Sequence, residues 1–375
     1  MNTIKITLLS FKKNTFTFIL VIAQLAVLFL AENYMVSALV ERDMQFAPFK
    51  PLFNEKTAFV YDSEYAKNAA LFDMDTKASR EMLLSDIKDE YKIYDVMSFK
   101  NGEYTVYSVS DEIYASLALP LAFGNYGSAV GSSGMSAEEK DIFFPDGTNL
   151  RLKTSGALTA STYIPAMMSL SSQYMTAGDF YYTSVNERNI ILTNRSSIGG
   201  YEQHFRLSSG FLIEFKSGTA RNLETLKGRA LTVPTTEIAE NTNKALQKDL
   251  LNYLPLVGTV LIIVIIGVIC ISVIIFKESE RRNAVLWICG YSRAEIIGVH
   301  TVGIALMTAL SIIISLAAYI LLKLFGNEML IGVNLTLENF IITFITCMLL
   351  SAISSAVPAI KSRKTSPVEY LRRAK

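Results

Sequence analysis

Cysteine is nearly missing from this sequence, with 3 in 375 residues at Cys270, Cys289 and Cys347. None falls between residues 41 and 250, so the long polar stretch there has no disulfide framework. Histidine is limited to His204 and His300, which excludes a paired-histidine zinc motif. No Gly-x-x-x-x-Gly-Lys-Ser/Thr run occurs, so the chain lacks a phosphate-cradling loop and is not itself an ATPase of that kind. No Gly-x-Ser-x-Gly nucleophile elbow occurs either. Charge of one sign is also missing: 35 Lys and Arg offset 34 Asp and Glu to a net +1, so no overall field favours nucleic acid. The acidic residues between 41 and 250 read as solvated surface, with no two marked as an acid–base pair. The expectation is a chain without catalytic residues, without a metal site and without a cofactor of its own.

Apolar residues, by contrast, are abundant at 51% and gathered in long runs. Residues 254–276 carry no charge. At ~1.5 Å per residue this run reaches about 33 Å as a helix, enough to cross a hydrocarbon core of roughly 30 Å. A short turn follows, holding Lys277, Arg281, Arg282 and Arg293, and loops rich in Lys and Arg read as cytoplasmic. A third run covers 296–322, with His300 near its cytoplasmic end. A ring hydrogen-bonded to a neighbouring helix is the favoured role for His300, ahead of a proton or metal ligand. Residues 323–339 form a short exterior loop, and 340–360 a fourth run. There Ser351, Ala352, Ser355, Ala356 and Ala359 recur at helical spacing and would allow close helix contact. Cys270 and Cys347 read as plain buried apolar residues. The tail, 361–375, is basic through Lys361, Arg363, Lys364, Arg372, Arg373 and Lys375.

At the other end, residues 1–14 form an amphipathic segment with Lys5, Lys12 and Lys13, and the apolar run 15–31 leads to Glu32. A secretory signal peptide cleaved after Val36, Ser37 and Ala38 is the rival reading. The length of the run and its helical continuation to Val40 favour an uncleaved span that goes on as a stalk. Glu32 lies about 26 Å along that helix from Thr15, near the outer interface, where its charge would reach water. The predicted organisation is therefore a four-helix membrane protein with a large α+β extracytoplasmic domain inserted between helices 1 and 2. Its segments are 1–40 (amphipathic segment and helix 1), 41–250 (the domain with its stalks), 251–276 (helix 2), 277–295 (cytoplasmic loop), 296–322 (helix 3), 323–339 (exterior loop), 340–360 (helix 4) and 361–375 (cytoplasmic tail). Both termini are placed in the cytoplasm of a multi-pass plasma-membrane protein.

Within 41–250, Pro48 and Pro51 break the first stalk. Extended candidates are Thr57–Tyr61, 92–99, 103–109, 189–193, 211–215 and 230–233, several of them β-branched and aromatic. Residues 66–91 read as helical, with Met82, Leu83 and Ile87 on one face. Asn101-Gly102 reads as a hairpin turn and the Gly/Ser-rich 124–134 as a loop. Residues 235–252 form a second stalk helix that feeds into 254.

The cytoplasmic loop is more than a connector. Ala284, Val285, Leu286 and Ile288, with Trp287, would line the apolar side of a short helix. Gly290 falls where a helix C-cap belongs and Ser292 where the next helix needs an N-cap. Two readings stand: an interfacial helix anchored by Trp287, or a surface that docks a cytoplasmic partner.

These residues resemble the FtsX-like permeases, the MacB-type branch of the ABC transporters. Glu278, Arg281, Ala284, Val285, Leu286, Gly290, Ser292, Arg293 and Ile296 follow the family's order and spacing between its second and third membrane helices. Arg282 stands where a Glu is usual, Asn283 where an Ile is usual, and Trp287 where an Arg is common. At the C-terminus, Pro358, Ala359, Lys364, Pro367, Val368, Glu369, Leu371 and Arg372 reproduce the family's closing pattern. The resemblance covers the helices and their cytoplasmic edges, not the detail of 41–250. It implies a non-catalytic permease subunit whose ATP and Mg²⁺ sit on a separate cytoplasmic ABC ATPase. Glu278, Arg281, Arg282, Ala284, Val285, Leu286, Trp287 and Gly290 would dock that ATPase. The same resemblance implies a second permease chain, identical or paralogous, alongside membrane lipids. The favoured activity is export or extraction of an amphiphile, such as an antimicrobial peptide, lipid-linked molecule or drug. The alternatives are mechanical signalling to a cell-wall hydrolase or sensor kinase, and a membrane-tethered binding receptor without an ATPase.

Overall fold

The structure, a computed structural model, describes residues 15–62, 76–117, 121–132, 135–158, 163–167, 174–183, 189–278, 280–324 and 337–364. Its helices are α1 (Thr15–Phe46), α2 (Thr76–Leu84), α3 (Asp111–Ala115), α4 (Thr219–Leu226), α5 (Thr235–Glu278), α6 (Glu280–Ile288), α7 (Arg293–Leu324) and α8 (Leu337–Lys364). Its strands are β1 (Thr57–Tyr61), β2 (Tyr91–Tyr94), β3 (Val96–Lys100), β4 (Thr105–Val109), β5 (Leu121–Gly124), β6 (Ala129–Gly131), β7 (Glu139–Phe143), β8 (Asn149–Leu158), β9 (Tyr163–Pro165), β10 (Tyr181–Thr183), β11 (Ile190–Asn194), β12 (Arg206–Leu207), β13 (Gly210–Phe215) and β14 (Leu231–Pro234). The chain falls into two compact units, Met1–Ala38 with Leu250–Lys375, and Leu39–Asp249.

In the helical unit, α1, α5, α7 and α8 each contain a stretch long and apolar enough to cross a membrane. Their shared core is built from Leu25, Leu28 and Phe29 of α1 with Val264, Val268 and Ile271 of α5, joined by Met307 of α7 and Leu350 of α8. The outward faces are just as apolar: Phe16, Ile263, Ile266, Ile313 and Phe344 are exposed. In water such a surface would drive association, but against lipid tails it carries no hydrophobic penalty. This explains why the composition is so rich in apolar residues without a correspondingly large core.

Three expectations for these helices need correction. Glu32 does not reach water: it is 6% exposed, and Thr346 Oγ1 on α8 donates to its Oε1 at 2.5 Å. Cys270 is exposed on the outer face of α5, and Cys347 is only half-buried. The small residues Ala352 and Ala356 face outward, whereas Ser354 is buried and bonds back to the Leu350 carbonyl at 2.6 Å. At Gly267 of α5 the space beside the helix is taken by the Gln24 side chain of α1, whose Oε1 would lie 2.6 Å from an added Cβ.

The α+β unit contains two main sheets. The smaller runs β14-β1-β13-β2 and is antiparallel throughout. The larger runs β12-β3-β4-β11-β6-β8-β5, with β7 on the other part of long β8. Its β4–β11 and β6–β8 pairs are parallel. A further pair, β9–β10, is separate. Both main sheets are apolar on both faces, which alternate along each strand. Phe59 of β1 and Leu212 of β13 join Tyr107, Val109 and Leu192 of the larger sheet in one core. Ala58, Val60, Phe211, Ile213 and Phe215 point the other way, onto Leu83 and Leu84 of α2 and Leu226 of α4. Val106 and Ile191 pack on the far side of the larger sheet, against Phe144, Ile198 and Phe205.

The stretch 92–99 is not one strand. Asp95 divides it, and β2 and β3 lie in different sheets. The chain crosses back between β12 and β13, at Ser208. Arg80 of α2 ties the two crossings together, bonding the Asp95 carboxylate and donating to the Ser208 carbonyl at 2.9 Å. Arg195 bonds the second Asp95 oxygen, and Arg80 also lies 4.4 Å over the Phe211 ring.

Helix α2 is shorter than the reading of 66–91. Residues 66–75 lie outside the described residues, and β2 starts at Tyr91. Met82 is 71% exposed, so Leu83, Leu84 and Ile87 form the buried face. The Gly/Ser-rich 124–134 is not simply a loop, since β6 within it pairs β11 and β8 and buries Val130. Gly124, at φ +80°, is needed because a Cβ there would meet the Ser155 carbonyl oxygen at 2.2 Å. The Asn101-Gly102 turn does join β3 to β4, with Gly102 at φ +70° and Asn101 Oδ1 accepting from Tyr104 N at 2.8 Å.

Candidate functional site

The residues singled out for a cytoplasmic partner lie at the α5–α6–α7 corner. Helix α5 runs to Glu278, and α6 begins at Glu280. The backbone of Glu278 and Arg281 is helical; their side chains lie outside what the structure describes. Helix α6 ends where Gly290 takes φ +93°, with Gly290 N bonded to Trp287 O at 3.0 Å and Tyr291 N to Leu286 O at 3.0 Å. A left-handed residue just past the last turn is the usual glycine stop. Ser292 then starts α7 with reciprocal bonds. Its Oγ accepts from Glu295 N at 3.2 Å, and Glu295 Oε2 accepts from Ser292 N at 2.7 Å. This capping box satisfies two helix-end donors at once.

These two ends make the corner a defined turn with a definite inside. Ala284 is fully buried against Phe276 of α5. Leu286, 9% exposed, packs on Ile296 and Val299 of α7. Trp287 bridges the two clusters. Asn283 is buried, and its Nδ2 sits 3.4 Å from His300 Nε2 while the His300 ring lies 5.3 Å from that of Phe276. Arg282 is half-buried, and that burial lowers its guanidinium pKa. The outside is left to Val285 at 50% and Ile288 at 66% exposure, with Cys289 and Gly290 beside them.

The eight predicted residues therefore separate. Ala284 and Leu286 serve this chain's own packing, Trp287 does so in part, and Val285 and Ile288 form an open apolar patch three residues apart on one helix face. Ile288 belonged to the apolar side in the sequence but not to the predicted docking set. Asn283 and His300 were also outside it, although a ring hydrogen-bonded to a neighbouring helix was the expected role of His300, and Asn283 of α6 stands in that place. In the C-terminal motif, Pro358 lies within α8 with its side chain undescribed, and Pro367, Glu369, Leu371 and Arg372 lie outside the described residues. Among the described residues, no group of three His, Cys, Asp or Glu side chains is placed to hold a metal ion.

Residues 256–367 match the family described as FtsX-like permease C-terminal. The match takes in the apolar part of α5, all of α6, α7 and α8, and the start of the tail. The resemblance carried by the loop residues and by Pro358, Ala359, Lys364 and Pro367 thus holds as a family match over this stretch, and Val368, Glu369, Leu371 and Arg372 lie beyond it. A solved structure with partial likeness is the crystal structure of the periplasmic region of MacB from Actinobacillus actinomycetemcomitans, at 7% identity and a TM-score of 0.25. It covers 50% of this chain and 92% of that one. A likeness so weak leaves the fold of the α+β unit to be read from its own strands. No curated protein matches the chain.

Proposed function

We propose that the chain is the permease subunit of an ABC transporter, with ATP and Mg²⁺ bound by a separate cytoplasmic ATPase. Support comes from the FtsX-like permease match over 256–367, a family that is generally a non-catalytic transporter component. The observation that carries the reading is the α5–α6–α7 corner: a helix stopped at Gly290, followed by the Ser292 cap of α7, packed inward by Ala284 and Leu286, and leaving Val285 and Ile288 bare. In this reading the patch sits in a groove of the ATPase. The Lys and Arg residues at 277–293 and in the tail put this edge, and both termini, in the cytoplasm of a plasma-membrane protein. The unit Leu39–Asp249 is then extracytoplasmic, and both chain connections to it are helical, through α1 and α5. In this reading ATPase closure moves that unit through these two connections, in a pair of permease chains within the lipid. The work performed is export or extraction of an amphiphile.

The test compares two faces of α6. Asp at both Val285 and Ile288 puts unpaired carboxylates in the contact with the ATPase, at several kcal/mol each if they stay buried. Since ~1.4 kcal/mol is a factor of ten, copurification of the ATPase should be largely lost while the permease stays monodisperse in detergent. Leu286→Asp should instead lower the thermal stability of the permease as well, because its target is the chain's own core. Retention of the ATPase by the double variant would move the docking surface away from α6.

A further inference from the structure

Between α1, α5, α7 and α8 the helical unit holds a cleft of about 990 Å³, at the top of the ~300–1,000 Å³ range of ligand pockets. It does not run the full length of the helices. It is lined from Val27 to Tyr34 on α1, by Tyr253, Leu256 and Val257 on α5, from Ala305 to Tyr319 on α7 and from Asn339 to Ser351 on α8. Those are the ends of the four spans from which the chain leaves for, and returns from, the exterior segments in the topology proposed above. At ~1.5 Å per residue the α7 and α8 walls extend about 21 and 18 Å, the greater part of one face of a ~30 Å core.

Asn33, Asn339 and Thr343 form one polar cluster of this cleft, and the hydroxyl residues Thr308, Ser315 and Ser351 line it elsewhere. Asn33 Nδ2 donates to Thr343 Oγ1 at 3.1 Å, and Asn339 Nδ2 donates to the Asn33 carbonyl at 3.0 Å. Three tyrosines line the cleft as well, and two of them, Tyr34 and Tyr253, meet edge to face with centroids 6.0 Å apart. Among the described residues, no Lys, Arg or His lines it. Beside the cleft is Glu32, between the lining residues Ala31 and Asn33 on α1; its partner Thr346 is next to the lining Cys347 on α8. One carboxylate oxygen takes the Thr346 hydroxyl, while Oε2 is buried and meets no hydrogen-bond partner among the described residues. A carboxylate so placed in a membrane helix is expensive, and such residues mark ligand pathways. Its charge and the tyrosine faces both attract a cation and both repel an anion.

We propose that this cleft binds a cationic amphiphile, with the apolar chain among Leu256, Ile312 and Phe344. The cationic head lies at the tyrosine and asparagine end, and Glu32 supplies the counter-charge from behind the Asn33–Thr343 wall. Its placement in the outer half of the bilayer rests on the permease reading; the site itself is formed by the four helices alone.

The experiment uses the full chain in lipid nanodiscs, together with any ATPase that copurifies. Three photoactivatable probes of equal chain length are compared: dodecyltrimethylammonium, an uncharged dodecyl glycol and dodecyl sulfate. Labelled peptides are mapped by mass spectrometry with and without excess unlabelled probe. The ammonium probe should label α1, α7 and α8 saturably, and the sulfate about ten-fold more weakly. Glu32→Gln should raise the half-saturating concentration of the ammonium probe about ten-fold and leave the glycol unchanged. Ala309→Trp should fill the cleft and abolish all three, with size exclusion and thermal unfolding confirming that each variant is folded. Should Glu32→Gln not fold, Tyr253→Leu carries the same test of cation preference. Equal labelling by the sulfate, an ammonium preference that survives Glu32→Gln, or labelling that survives Ala309→Trp would each overturn the proposal. Because the readout is binding, it can fail while ATPase docking through α6 stands, and the reverse.

Discussion

Asp95, in the α+β unit, is buried against two guanidiniums, whereas Glu32, in the helical unit, is buried against one hydroxyl. Asp95 receives Arg80 and Arg195 on its two oxygens, and its backbone N–H donates to Ser110 Oγ at 2.9 Å. Each of its polar atoms is matched, and the result is a clasp over the two points where the chain changes sheets. Glu32 keeps one oxygen without a partner. The difference teaches that burial alone does not say what a carboxylate is for. A saturated one at a crossover organises the fold; an unsaturated one beside an apolar cleft is left with attraction to spare.

Removing Asp95 should show the largest effect. Asp95→Ala leaves two guanidiniums buried without their counter-charge, and breaking such a pair costs about 3–5 kcal/mol. At ~2–4 °C per kcal/mol for a unit of this size, thermal unfolding should shift down by on the order of 10 °C, with new proteolytic cleavage confined to 39–249. A shift of a degree or two would mean that the clasp is ornamental and the comparison false. A smaller change, opposite in sign between two variants, should come from the helical unit. Thr346→Val takes away the hydrogen bond to Glu32 and should destabilise by ~1–3 kcal/mol. Glu32→Leu removes the carboxylate itself and should leave stability equal or higher, since an apolar side chain suits that site better. If Glu32→Leu unfolds the protein as Asp95→Ala is expected to, then Glu32 is structural too.

The smallest expected effect concerns an exposed carboxylate, Asp111 of α3, which accepts from Ser196 N at 3.0 Å and from Ser196 Oγ at 2.5 Å. Partial burial pushes its pKa up, but the Ser196 hydrogen bonds and the nearby Arg195 charge outweigh that and hold it below 3.8. A carboxylate with a depressed folded pKa contributes stability that is present above the unfolded value and lost as pH falls through the folded one. Asp111→Asn should therefore lower the unfolding temperature slightly at neutral pH, where the contribution is present, and flatten the acid limb below about pH 4, where the wild type loses it. An unaltered acid limb would remove Asp111 from the charges that matter to this unit.

Strand β1 was legible to the residue, because Thr57–Tyr61 is a compact β-branched and aromatic run with polar neighbours. Strands β4, β13 and β14 were legible within two residues for the same reason. The division at Asp95 was not, because the pattern from 92 to 99 is that of one uninterrupted strand, and what splits it is Arg80 and Arg195, distant in sequence. Strand β6 was hidden by its glycine and serine neighbours, which serve close backbone approach to β8 rather than flexibility. At the α5–α6–α7 corner, Gly290 and Ser292 announced the turn, but nothing local said that Leu286 would face Ile296 while Ile288 stayed bare.

By itself, the sequence determined that four stretches are helices fit for hydrocarbon, where the short helix between two of them stops and the next begins, and which family the stretch 256–367 resembles. These properties depend on residues within a few turns of one another: runs without charge, capping side chains and a glycine at positive φ. Only the tertiary structure decided which face of α6 remains open, that Asp95 is clasped, and that Glu32 is sealed beside a cleft. Each of those depends on what a distant segment brings to cover a side chain, and helix periodicity specifies a face without specifying its partner.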